Sequence, residues 1–347
     1  MRRLIHYLKD YLRHTSIKSL VAILLFITLL ISLNYTVGIE RRIRNIEPWY
    51  LSWLSFFFFY GFVLFFAWAV QFSLDPPSPV AVGSPSPDAG SLLSFGPGKP
   101  GRRFLLLILV APLFFASKMV HWDLSAFLPA GWQYPWNRYA LTVLQLPAKL
   151  FILLLLLYAC WRMERSPVTD DGPGVAVTGV VRDREPLSFY GMTTRNFAAG
   201  PYLLILLFLL PLIALASTQH DFLHTYPKVR NVAFIGDYTR TVWPWRLLYE
   251  VSYGLDFVSI ELFFRGFLVI GLARYAGRYA ILPMAAFYCT IHFGKPLGEC
   301  ISSFFGGLAL GVVAWRTRSI LGGLIIHLGL AWMMEVGGWL GNLFFKQ

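Results

Sequence analysis

The chain has 347 residues, of which 56% are hydrophobic and only 14% charged. A soluble domain carries about 25% charged residues, so this chain lacks the polar surface to cover a water-facing globule of its length. That excludes disordered, fibrous and disulfide-stapled classes and points to an integral membrane protein.

The net charge of +12 reads, in so apolar a chain, as cationic loops against anionic lipid headgroups and not as nucleic-acid binding. Cys160, Cys289 and Cys300 lie in or beside apolar segments, with no metal-knuckle or disulfide spacing. They read as reduced, buried thiols.

Residues 1–18 are basic and amphipathic. Leu4, Ile5, Leu8, Tyr11 and Leu12 recur at helical spacing, with Arg2, Arg3, Lys9 and Arg13 between them. This predicts a short helix on an anionic membrane face. The apolar runs Ser19–Gly38 and Trp49–Phe72 predict the first two transmembrane helices. Prolines from Pro76 to Pro100, alternating with Gly and Ser, mark residues 73–103 as a flexible linker.

Further apolar segments lie at 104–120, 140–161, 201–217, 247–273, 280–293, 300–315 and 320–345. Those at 280–293 and 300–315 are short for a crossing and bounded by Gly or Pro, which predicts broken or tilted helices. The loop 162–199 is the most polar stretch, with a short surface helix expected over Glu185–Phe197.

The fold class read from these segments is all-α, a polytopic transmembrane bundle of about eight or nine spans. It divides into 1–72, the linker 73–103, helices and polar loops over 104–245, and a C-terminal core over 246–347. Lys and Arg favour a cytoplasmic N-terminus. No internal repeat marks a transporter, and no glycine-rich phosphate loop is present.

An ionisable residue inside the membrane is costly unless paired or hydrated, and so is a functional candidate. Glu261 and Arg265 are four apart and share a helix face. His292 ends an apolar segment just before the Gly294–Pro296 break, Glu299 opens the next helix, and His327 follows Gly322-Gly323 by one turn. Each has a plain structural alternative: an ion pair between helices, an interhelical hydrogen bond, a helix-starting glutamate. If Glu261, His292 and His327 act together, they should lie within about 8 Å of one point, because buried polar groups need partners. Lys149 lies inside an apolar segment near Pro147. His220-Asp221-x-x-His224 lacks the glutamate of a zinc helix and reads as a solvated loop.

The order Glu261-x-x-x-Arg265, Tyr288-x-x-x-His292 and a later His327, over roughly 246–345, resembles the CAAX-protease and bacteriocin-processing (CPBP, or Abi) family of intramembrane proteases. That family's pattern is Glu-Glu-x-x-x-Arg, Phe-x-x-x-His and His-x-x-x-Asn/Asp. The resemblance implies peptide hydrolysis by water activated with Glu261, His292 and His327, with Arg265 keeping Glu261 ionised, and a substrate that is a membrane-associated or prenylated protein or peptide.

The departures are Ile260 for the first Glu, Tyr288 for Phe, and Ala331 for Asn/Asp. Either the site is rebuilt, with Glu299 the first candidate to restore polarity and Glu335 the second, or the chain is an inactive relative that binds or sorts membrane proteins. No cofactor is expected. Zinc held by His292, His327 and a glutamate stays open as an alternative. The expected partner besides substrate is membrane lipid, and the expected location is a bacterial inner membrane.

Overall fold

A computed structural model of the chain describes residues 2–75, 102–120, 122–165, 188–195 and 197–345. Most of the 73–103 linker lies outside the described residues. Among those described there is no strand, and the chain is an all-α integral membrane protein.

The elements, in order, are α1 Arg2–His14, α2 Ile17–Val37, α3 Ile39–Arg44, α4 Trp49–Leu74, α5 Arg102–Met119 and α6 Trp136–Arg165. Then come α7 Gly200–Ala216, α8 His220–Thr225, a 3-10 helix Lys228–Asp237 and α9 Trp243–Glu261, which runs directly into a π-helix Leu262–Gly271. After α10 Ala273–Ala276 follow α11 Ile281–Thr290, α12 Leu297–Thr317 and α13 Leu321–Phe344. By length and composition α2, α4, α6, α12 and α13 can each cross a membrane, and shorter apolar helices lie at Leu106–Met119 and Gly200–Ala216.

Two expectations are corrected. The segment read as 300–315 is helical from Leu297 to Thr317, 21 residues, and is long enough to cross. Pro296 caps it, so Glu299 lies in its first turn as expected, and Gly298 belongs to that turn as well and not to the preceding break. The surface helix expected over Glu185–Phe197 is absent from its described part, which holds only the 3-10 turn Phe189–Gly191.

Tyr190 and Gly191 adopt left-handed φ values of 44° and 81°, and both are buried. This segment wedges into the bundle because Gly266 and Gly271 open a hollow for it. A Cβ on Gly266 would stand 2.7 Å from the Tyr190 carbonyl oxygen. The Ile320 N–H closes the seam by donating to the Gly191 carbonyl at 3.0 Å.

α11 has only ten residues, all buried, so it is a core helix apolar on every side. The turn after it is pinned from outside by the end of α2. Asn34 Nδ2 donates to the Phe293 carbonyl at 2.9 Å, and the Tyr35 hydroxyl to that of Lys295 at 2.5 Å. These contacts hold the break between α11 and α12 in one shape and so aim His292, Lys295 and Glu299.

Candidate active site

Glu261 is the last residue before the helix widens into its π segment, and Arg265 lies one turn on. Both are fully buried. Arg265 Nη1 stands 3.1 Å from Glu261 Oε1, the pair expected from the four-residue spacing. The same oxygen lies 2.6 Å from His327 Nδ1. On its other side His327 Nε2 lies 2.6 Å from the Tyr288 hydroxyl, and the Arg265 guanidinium lies over the Tyr288 ring, 4.2 Å from its centroid. Neither Glu261 nor Arg265 has a hydrogen bond of good direction, so proximity of opposite charges and the Tyr288 stack hold them.

His327 thus bridges Glu261 and Tyr288 through its two ring nitrogens.

Gly323 seals this quartet. A Cβ there would run into the Glu261 carboxylate, so α13 crosses over Glu261 only because position 323 has no side chain. Gly323→Ala is therefore expected to lower stability by about 1–3 kcal/mol, the usual cost of overpacking. A thermal melt of the detergent-solubilised protein checks this, and an unchanged midpoint would refute the crossing.

Beside the quartet lies a chamber of about 480 Å³. Ile260, Arg265, Tyr288, His292 and His327 line it, whereas Glu261 does not. At its polar end Lys295 Nζ lies 3.4 Å from Glu299 Oε1 and donates to the Tyr226 hydroxyl at 3.0 Å. That hydroxyl donates in turn to Glu299 at 3.0 Å. His292 Nδ1 lies 3.0 Å from the Tyr288 carbonyl. A carbonyl only accepts, so Nδ1 carries the proton and Nε2 is the ring's acceptor.

Tyr288 thus joins the two histidines, by its hydroxyl to His327 and by its carbonyl to His292. Glu261, Arg265 and His327 form one contiguous group, while His292 and Glu299 line the same chamber with Tyr226 and Lys295. The rest of the wall is largely apolar, including Leu8, Leu310 and Met334.

Other candidates are occupied elsewhere. Glu335 accepts from the backbone N–H groups of Lys228 at 2.6 Å and Val229 at 3.0 Å, capping the 3-10 helix that follows Tyr226. Lys149 donates to the Lys118 and Val120 carbonyls at the end of α5. His220 and His224 lie on the six-residue α8. Among the described residues no three His, Cys, Asp or Glu side chains group as a metal site. All three cysteines are free and buried.

Lys228 also adjoins this region. Burial, together with the charge of Lys295, pushes its ammonium down to about 8. Between there and the ordinary lysine value of about 10.4, the unfolded chain binds more protons than the folded one, so stability rises with pH. Lys228→Met is expected to stabilise the protein below about pH 8, with the gain vanishing above about pH 10.5. Melting curves across that range test it.

Sequence reasoning did not single out Tyr226 and Lys295. Tyr226 belongs to a polar loop with no motif around it. Lys295 stood within the quoted break, but nothing in its spacing foretold an amine facing Glu299.

Residues 243–333 match the family model Rce1-like, type II CAAX prenyl endopeptidase Rce1-like. This Rce1-like region runs from α9 into α13. It contains Glu261, Arg265, His292, Glu299 and His327, and leaves Tyr226 and Glu335 outside. It agrees with the family resemblance carried by the three motifs. Searches of the curated proteins and of the solved structures find no match.

Proposed function

We propose that the chain is an intramembrane endopeptidase in which His292 and Glu299 handle the attacking water. The observation that carries this reading is the chamber lined in large part by the Rce1-like region, polar around His292, Lys295 and Glu299 and again at the Lys118–Asp256 pair, with apolar wall between. A substrate held at the membrane, prenylated proteins and peptides included, would lay its apolar part along the apolar wall and its scissile bond at the polar end.

Water gives a proton to His292 Nε2 or to the Glu299 carboxylate as its oxygen bonds to the peptide carbonyl carbon. Lys295 and Tyr226 stand beside Glu299 and offset charge developing on the carbonyl oxygen. The proton then passes to the leaving nitrogen as the C–N bond breaks. Glu261 lies behind this layer and holds Arg265 and His327, which on the chamber wall fix Tyr288, whose carbonyl sets the His292 tautomer. The same reading puts the protein in a bacterial inner membrane with α1 on the cytoplasmic side.

A second reading is a relative that binds membrane proteins without cutting them. Ile260 on the chamber wall and Ala331 one turn after His327 favour it. The test is purified full-length protein in proteoliposomes, given internally quenched peptides with and without a farnesylated cysteine. Cleavage by wild type that is lost in His292→Ala supports the peptidase. Retention of the peptide without cleavage supports the second reading.

A further inference from the structure

The N-terminal helix forms part of the chamber wall, although it lies outside the Rce1-like region. Leu4 and Leu8 line the chamber. Leu4 is buried in a small cluster with Tyr202, Leu310, Val313 and Ile326, apart from the main core. The rest of the attachment is one buried side chain of the main core, Tyr11, with Tyr7 and Leu8 packed against that core, and the exposed pair of Asp10 with Arg316. Ser16, in an extended conformation, separates α1 from α2.

A 13-residue helix is marginal on its own, and this one turns an unfavourable face outward. Ile5 and Leu12 are about half exposed, and Arg2, Arg3, Lys9 and Arg13 are exposed beside them. That pairing of apolar flank and cationic crest fits acyl chains below and anionic headgroups above.

We propose that the outer face of α1 is a binding surface for anionic phospholipid, and that bound lipid seats α1 as the wall that closes the chamber. Access to the chamber is thereby coupled to the charge of the surrounding membrane. The inference stands whether or not the chamber hydrolyses anything.

The test places spin labels on the full-length protein at His6→Cys in α1 and Phe305→Cys in α12, both exposed; protein without introduced cysteines reports any labelling of the buried native thiols. In phosphatidylcholine vesicles containing about one-third phosphatidylglycerol, a single narrow distance is expected. In pure phosphatidylcholine the distribution should broaden by at least about twofold, because each cation loses its headgroup attraction, and high salt should broaden it likewise. Converting Arg2, Arg3, Lys9 and Arg13 together to Gln should give the broad distribution in both vesicles. Identical distributions for the native charges in the two vesicles, or a broader one in anionic vesicles, would overturn the inference. So would a folded quadruple variant that stays narrow in anionic vesicles. The comparison of lipids alone decides if that variant fails to fold.

Discussion

Arg265→Ala is expected to destabilise the protein by about 3–5 kcal/mol, the cost of removing one partner from a buried ion pair. Little folded protein should then be recoverable from membranes. Glu261 would remain fully buried with only His327 beside it, and it would have to take up a proton or draw water into the packed region under Gly323. Tyr288 would lose the guanidinium that covers its ring.

Arg265→Lys should fall between wild type and alanine, because it keeps the charge and loses the planar stack. The double variant Glu261→Gln/Arg265→Met should be far milder than Arg265→Ala, since it removes both charges together. Fluorescence-detected size exclusion and thermal melts give the comparison. An Arg265→Ala protein that melts with wild type would refute the buried pair as a structural element.

Glu299→Gln and Glu261→Gln are expected to separate chemistry from scaffold. Glu299 lies on the chamber wall, hydrogen-bonded by Tyr226 and paired with Lys295. Its amide analogue keeps the shape and loses the negative charge. Cleavage should drop by about 100- to 10,000-fold, the range of a lost general base, with melting little changed. Glu261→Gln should instead lower the melting temperature, because it strands Arg265 in the interior. Its effect on rate should follow from altered seating of Tyr288 and His292. The reverse pattern, in which Glu261→Gln abolishes cleavage at native stability and Glu299→Gln is silent, would return the carboxylate role to Glu261.

The membrane class, the helical segments and the Glu261–Arg265 pair were legible in the sequence, because each depends on composition or on spacing along one helix. Gly322-Gly323 was legible as a pair of small residues one turn before His327, though not as the cover over Glu261. The full length of α12 was not: Glu299 was legible as its opening residue, but the apolar stretch 300–315 stops short of both ends of Leu297–Thr317. The wedge at Tyr190 was hidden because its partners, Gly266 and Gly271, lie far along the chain and carry no side chain to suggest a contact. Lys295 and Tyr226 escaped for a related reason. Their place beside Glu299 depends on how α2 pins the turn after α11 and on how Glu335 caps the helix after Tyr226, and neither leaves a periodic trace.

The measurement that tests the central claim most directly is hydrolysis itself, followed by mass spectrometry in heavy-oxygen water. Full-length protein in proteoliposomes is incubated with membrane-anchored peptides, and the new C-termini are read for the label. The account predicts labelled carboxylates with wild type and almost none with Glu299→Gln of equal stability. Wild-type protein that generates no new C-terminus, or Glu299→Gln protein that generates as many as wild type, would contradict it.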